Sequence, residues 1–425
     1  MPNYIRQWKI NNQIVDLRDG TKGQPNGAVP LGSDGKISYS LAKFNANAIP
    51  VSRDNSDSIA KWASDVVGTV KLPTPDTWET IEWLSSACDK IKCYNGIFIA
   101  TGTFGIRISK DAYSFLPTNV SSWPSSEISI YIYDIVYLGS VYFVLTNIGL
   151  WASNNASSWT RVSNSATNSI AYDGTRYVAN FYVDGKYLAN STDGFTWTAD
   201  TFFSSLGSLD LSGHSVYGVW YVDNVWWINA YYSSGNDYSL FFYDGTHFSI
   251  PVTVGSILGL KWKAIHRTHN IDGLLQGDVW VIASVGENNQ SRIYCSETLY
   301  GVEWRQSTTI PGVTTDFIEH KGVLYIGNTS GIAYMDPVGN YWFYTRRLSD
   351  VIGQNPCKSL ETTGNVLLVC GGTKMLYSID AIRWYRGISN VACYGLAYFN
   401  ERVLLACSSQ RIIASDVKCD TVLYL

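Results

Sequence analysis

His266-Arg-Thr-His269 has a spacing that suggests metal ligation. An i, i+3 pair on a strand points to opposite faces, so a loop would have to bring both imidazoles together, and no third ligand accompanies them. A structural or solvent-facing role is expected, with no metal bound. Carboxylates that work as a pair on a glycosidic bond must approach within about 5–10 Å. Asp89, Asp134, Asp316 and Glu319 stand near the starts of apolar runs, and each also suits a solvated turn. GxSxG, HExxH and P-loop patterns are absent, no Gly-rich loop precedes a helix, and no Asp/Asn-rich turn forms a complete calcium loop. The expectation is a chain without catalytic residues and without a cofactor.

Recognition chemistry is better represented. Tyr231-Tyr-Ser-Ser-Gly-Asn-Asp-Tyr238 is the Tyr/Ser/Gly/Asn mixture that suits rigid binding loops, because tyrosine offers a large contact area with few rotors. The longest insertion, His266-Arg-Thr-His-Asn-Ile-Asp-Gly-Leu-Leu-Gln-Gly-Asp278, follows nearby. Loops on a rigid scaffold commonly carry binding residues. Tyr231, Tyr232, Tyr238, His266, Arg267 and His269 are therefore the candidate receptor-binding residues, with ordinary hairpin loops as the alternative. Trp226 and Trp227 are adjacent in a strand and face opposite sides, so at least one should be core.

The elements that position these loops are repeats. Ile170-Ala-Tyr, Tyr177-Val-Ala-Asn-Phe, Tyr187-Leu-Ala and Phe195-Thr-Trp are short alternating runs separated by Asp173-Gly, Asp184-Gly and Ser191-Thr-Asp-Gly. Asp-Gly between period-2 runs predicts hairpins, since type I′ turns need φ > 0, and four such runs make one antiparallel meander. The layout returns from Ile91, Ile135, Tyr221, Gly277, His320, Thr363 and Phe399, about 35–55 residues apart, a period suited to radially stacked four-stranded blades. One blade cannot cover both of its faces, so stacking around an axis buries them. The predicted fold is an all-β propeller over residues 76–425 with eight blades, seven remaining the alternative. The closing outer strand comes either from Asp76-Thr-Trp-Glu-Thr-Ile or from Thr421-Val-Leu-Tyr-Leu.

Composition agrees with this. Aromatic residues make up 14% of the 425 while charged residues make up 16%, below the usual quarter or so. A net charge of -4 without a basic stripe argues against nucleic acid. Cys370 and Cys407 lie inside apolar runs, and the eight cysteines form no CxxC pairs, so they read as small buried hydrophobes. A disulfide, with Cys88 and Cys93 the nearest pair, is the alternative. The N-terminus lacks the apolar core of a signal peptide and no run of about 18 apolar residues exists, so a soluble chain made in the cytoplasm, without membrane insertion, is expected.

Ser191, Asp193, Gly194 and Trp197 resemble the Asp-box turn of sialidase-like propellers. Ser378, Asp380 and Trp384 form a weaker version, as do Ser109/Asp111/Phe115 and Ser153/Asn155/Trp159. The resemblance implies a structural turn, with the carboxylate on backbone amides and the Trp packed between blades. The Phe-Arg-Ile-Pro signature of sialidases is absent, and Arg107, Arg176, Arg292, Arg383 and Arg411 fall at outer strands or turns, away from where an arginine triad would stand. Residues 1–75 differ from the rest. Asn11-Asn-Gln-Ile-Val-Asp-Leu, Gly27-Ala-Val-Pro-Leu-Gly-Ser-Asp-Gly-Lys-Ile37 and Asn47-Ala-Ile-Pro-Val-Ser-Arg-Asp resemble the extended heads of phage tail-fibre and tail-tip proteins. That resemblance implies a virion tail component attached through residues 1–75 to other tail proteins, often as a trimeric homo-oligomer. Its propeller would be a non-catalytic adhesin for a host surface glycan or protein. The alternatives are a flexible leader on a bacterial surface propeller, and a propeller glycoside hydrolase that depolymerises host polysaccharide.

Overall fold

The computed structural model describes residues 7–10, 13–16, 70–124, 129–205, 214–232, 237–249, 261–268, 279–285, 290–296, 305–321, 323–335, 343–346, 357–379 and 384–419. Eight antiparallel sheets follow one another as the blades of a β-propeller. Blade 1 comprises Lys90–Tyr94, Ile97–Gly102, Gly105–Ser109 and Leu116–Pro117. Blade 2 runs from Ile132–Leu138 to Ser158–Ser163, with Asn119–Val120 added in parallel at its outer edge. Blades 3, 4, 5, 6 and 7 begin at Ile170–Tyr172, His214–Val222, Lys261–Thr268, Thr314–His320 and Cys357–Thr362. Blade 8 takes three strands, Cys393–Phe399, Arg402–Cys407 and Arg411–Asp416, from the C-terminal side.

The seven-bladed alternative is thereby excluded. Blade 8 obtains its fourth strand from Glu79–Trp83, antiparallel to the third, with Trp83 opposite Arg411 and Thr80 opposite Ile413. Of the two closing segments foreseen, the N-terminal one is used. A second short ladder, Val70–Lys71 against Lys418–Cys419, extends the junction a few residues ahead of position 76. Arg402 locks it. Its guanidinium donates to Asp416 Oδ1 (3.0 Å), to Glu79 and to the Ala112 carbonyl of blade 1 (3.2 Å), and stacks 3.9 Å over Tyr113.

The core is divided into eight clusters among the described residues, one for each contact between neighbouring blades. Strand alternation explains how each blade serves two clusters. In blade 8, Leu404 and Ala406 pack toward blade 1, whereas Val403, Leu405 and Cys407 pack toward blade 7. Trp226 faces blade 3 and Trp227 faces blade 5, so both are buried, not one alone. Cys88 and Cys93 are free thiols, so the alternative disulfide is not formed.

Local turn chemistry follows residue type. Asp184-Gly185 (φ 46° and 84°) and Asn95-Gly96 (52° and 75°) have the two positive φ angles of a type I′ turn. Asp173-Gly174 does not, because only Gly174 is positive (96°). There the Asp173 carboxylate closes the hairpin instead, accepting Thr175 N (2.8 Å) and Arg176 N (2.7 Å). Of the N-terminal head, Gln7–Ile10 pairs with Gln13–Asp16. Its other quoted segments lie outside the described residues.

Candidate functional site

Consecutive strands of a meander reverse direction, so its connections alternate between the two ends of the ring. Third-to-fourth-strand turns lie at the end called here the lower one, and three of them are Asp-boxes. Asp193 Oδ1 accepts Phe195 N (2.8 Å), Thr196 N (2.7 Å) and Ser191 Oγ (2.9 Å), while Trp197 Nε1 donates to the Gly194 carbonyl (3.0 Å). Asp111 repeats this with Tyr113 N (2.8 Å) and Ser114 N (3.0 Å), and Asn155 does so with Ser157 N and Ser158 N (both 2.9 Å). The residue after each acceptor has positive φ: 62° at Ala112, 59° at Ala156 and 78° at Gly194. Backbone amides hold the Asp193 and Asp111 carboxyls down at about 2. The boxes are structural. In the weaker copy, Ser378 is buried and Trp384 packs against the cluster between blades 6 and 7, while Asp380 lies outside the described residues.

The candidate receptor loops do not share one surface. Tyr231, Tyr232 and Tyr238 flank the second-to-third hairpin of blade 4 at the upper end, with Tyr231 directly opposite Tyr238. His266 and Arg267 are strand residues paired with Val281 and Trp280, leading to the first-to-second connection at the lower end. His269 lies outside the described residues. The meander therefore separates the two groups by the height of a blade, and among the described residues no cluster of three or more metal-ligating side chains exists. Arg107, Arg292 and Arg411 sit on third strands and Arg176 in a hairpin.

The upper end carries more tyrosine than the 231–238 loop alone indicated. Tyr131 and Tyr133 of blade 2 stand with ring centroids 5.1 Å apart, Tyr182 and Tyr187 of blade 3 at 5.0 Å, and Tyr217 and Tyr231 of blade 4 at 5.9 Å. Tyr131 is 63% exposed, Tyr182 52% and Tyr187 45%. These rings form a crescent over three consecutive blades. Their mounting is rigid: Asn147 Oδ1 accepts Tyr131 N (2.7 Å), and the Tyr182 carbonyl accepts the Ser165 hydroxyl (3.2 Å).

The crescent meets the central channel through a repeated bulge. The first strands of blades 2, 4, 5, 6, 7 and 8 each shift register near their start, at Tyr133, Tyr217, Lys263, Thr315, Lys358 and Tyr394. A bulge inserts one residue and re-aims its side chain. Residues at the heads of first strands stitch blades together: Asp316, next after the blade 6 bulge, accepts Leu360 N at Oδ2 (3.1 Å), and in the unbulged blade 3 Ser169 Oγ bonds both Val219 N (2.9 Å) and Val219 O (2.7 Å). Of the carboxylates noted in sequence, Asp134 and Asp316 reach the channel wall. Asp134 Oδ1 accepts Ile135 N (2.8 Å) and Asp316 Oδ1 accepts Phe317 N (3.1 Å). Asp89 is half-buried just above Lys90, and burial raises its carboxyl.

Blades 6, 7, 8, 1 and 2 enclose a polar recess of about 90 Å³ in the channel wall, lined by Lys90, Lys92, Lys358, Asp134, Asp316, Ser359, Tyr133 and Tyr394 among others. Sequence reasoning passed over these lysines and most of the tyrosines. The available signal was a polar or aromatic residue followed by Asp, Gly, Ser or Lys and then Ile, Leu, Val or Phe at the head of every first strand but that of blade 5, which has Ala264 in the second position.

No family model and no curated protein matches this chain. Among solved structures, it is similar to the computationally designed Ika8 protein at 12% identity and TM-score 0.51, over 80% of this chain and 98% of that one. It also matches YCF48 bound to D1 peptide (14% identity, TM-score 0.44, 82% and 100% covered) and BamB from Moraxella catarrhalis (12%, 0.45, 80% and 99%). At these identities the likeness concerns the propeller fold.

Proposed function

We propose that the protein is a phage tail-fibre or tail-tip component that recognises a host surface glycan or protein through the upper end of its propeller, without catalysing a reaction. The observation that supports this reading most is the tyrosine crescent at the upper end, exposed at Tyr131 of blade 2 and at Tyr182 and Tyr187 of blade 3 and continued by the half-buried Tyr217 and Tyr231 of blade 4. Exposed rings held on a rigid scaffold bind with little ordering cost and stack on sugar faces or apolar side chains. Residues 1–75 would attach the propeller to other tail proteins, with a trimer the expected assembly.

Host adsorption of particles carrying Tyr131→Ala with Tyr187→Ala tests the reading. A drop of roughly tenfold or more is expected from losing two aromatic anchors at about 1–2 kcal/mol each. Unchanged adsorption by a normally folded variant would sink it. The hydrolase alternative predicts steady shortening of host polysaccharide by the purified protein, which the binding-only reading forbids.

A further inference from the structure

The closing blade brings two thiols face to face. Cys393 opens its first strand and Cys407 ends its second, and the two are direct partners in the antiparallel ladder. Ser408 N donates to the Ala392 carbonyl (3.0 Å), while Cys393 N donates to the Gly372 carbonyl of blade 7 (3.0 Å) and the Cys407 carbonyl accepts Cys88 N (3.2 Å). The pair is therefore a non-hydrogen-bonded one, in which opposite Cα atoms approach to about 4.5 Å and the side chains leave the same face. A disulfide spans roughly 4.4–6.8 Å between Cα atoms. Both side chains are buried in the cluster between blades 7 and 8, and their thiols lie within hydrogen-bonding reach of each other.

The neighbouring cysteines are not placed in this way. Cys88 turns its thiol to the Lys90 and Thr101 carbonyls (3.4 and 3.9 Å) in the next cluster. Cys370 enters the shared cluster from blade 7, but its ladder partners are Ser359 and Met375. Among the described residues no other two cysteines oppose each other in a ladder.

We infer that Cys393 and Cys407 join in a disulfide once the protein meets an oxidising medium, a covalent modification that staples the closing blade. The inference stands apart from the recognition reading, because it needs only the ladder and a small disulfide as oxidant. One protein thiol, deprotonated, attacks a sulfur of that molecule, breaks its S–S bond and expels a thiolate, which takes up the proton. The second protein thiol attacks the sulfur now carried by the first, forming the Sγ–Sγ bond and expelling the other half as a thiol. The protein pair loses two electrons and the small disulfide gains them. Contact with Cys407 and burial push the Cys393 thiol far up, so attack waits on a local opening and takes minutes to hours. The bond closes a loop of about 15 residues that includes Tyr394 of the channel lining.

The reduced full-length protein, kept folded overnight in oxidised glutathione and then alkylated, tests this. A non-reducing peptide map should show the fragment of Cys393 joined to that of Cys407, and the unfolding midpoint should rise by about 4 °C and fall back with dithiothreitol. Cys407→Ala should lose both the crosslink and the gain, whereas Cys370→Ala should keep both. The midpoint of each variant before oxidation reports its folding, and the map of the native protein stands without either variant. Free thiols at both positions after oxidation, glutathione left on either one, a bond from either to Cys370 or Cys88, or an unmoved midpoint would overturn the inference.

Discussion

Acidification should weaken this fold through one histidine. His320 ends the first strand of blade 6, is 2% exposed, and bonds Thr362 Oγ1 through Nδ1 at 2.7 Å, while its Nε2 is buried without a partner. Burial, reinforced by the Lys321 charge, pushes its pKa from 6.5 down to about 4. The unfolded chain therefore takes up a proton near pH 6.5 that the folded chain refuses until about pH 4. Stability is complete above the unfolded value and falls through that window. At 1.36 kcal/mol per unit, the roughly 2.5-unit gap amounts to about 3 kcal/mol. For a propeller of about 350 residues that is about 4–5 °C in midpoint. Thermal unfolding of the native protein and of His320→Asn, which can keep the bond to Thr362, should be followed from pH 7 to pH 4. The variant starts lower and declines less, because only the native curve carries the imidazole. The box carboxylates titrate below this window and are common to both proteins. Parallel curves would refute the reasoning.

Arg402→Met should cost about 1–2 kcal/mol in urea unfolding, because it removes the buried guanidinium's hydrogen bonds to the half-exposed Asp416 and to the Ala112 carbonyl at the closing seam, while Glu79→Gln, at a partner 57% exposed, should cost under about 1 kcal/mol. In the boxes, Asp193→Asn should destabilise by about 1 kcal/mol and Asn155→Asp should stabilise by a similar amount, since a charged acceptor strengthens the two backbone bonds each turn makes. Midpoints that move together in the same direction would show that the acceptor's charge is irrelevant.

The repeat, the blade count and the box turns were legible because each is a local matter. Alternation within a run, an Asp-Gly between runs and a Ser-x-Asp-x-x-x-Trp turn depend on residues within about ten positions of one another. Even there Asp173-Gly174 departed from its expected geometry, since the aspartate carboxylate could cap the turn without a second positive φ. Two endings for the ring were compatible with the sequence. The choice fell to Glu79–Trp83 because it pairs with Arg411–Asp416 more than three hundred residues away and is held by Arg402, contacts that no periodicity encodes. The same limit separated Tyr231 from His266, neighbours in sequence placed at opposite ends by strand reversal. It also hid Lys90, Lys92 and Lys358, which look like scattered surface cations along the chain. Repetition by itself determined that strands stack as blades, because each run needs two covered faces. Only closure of the ring decided which residues from five blades meet in the channel, because an axis exists only when every blade is in place.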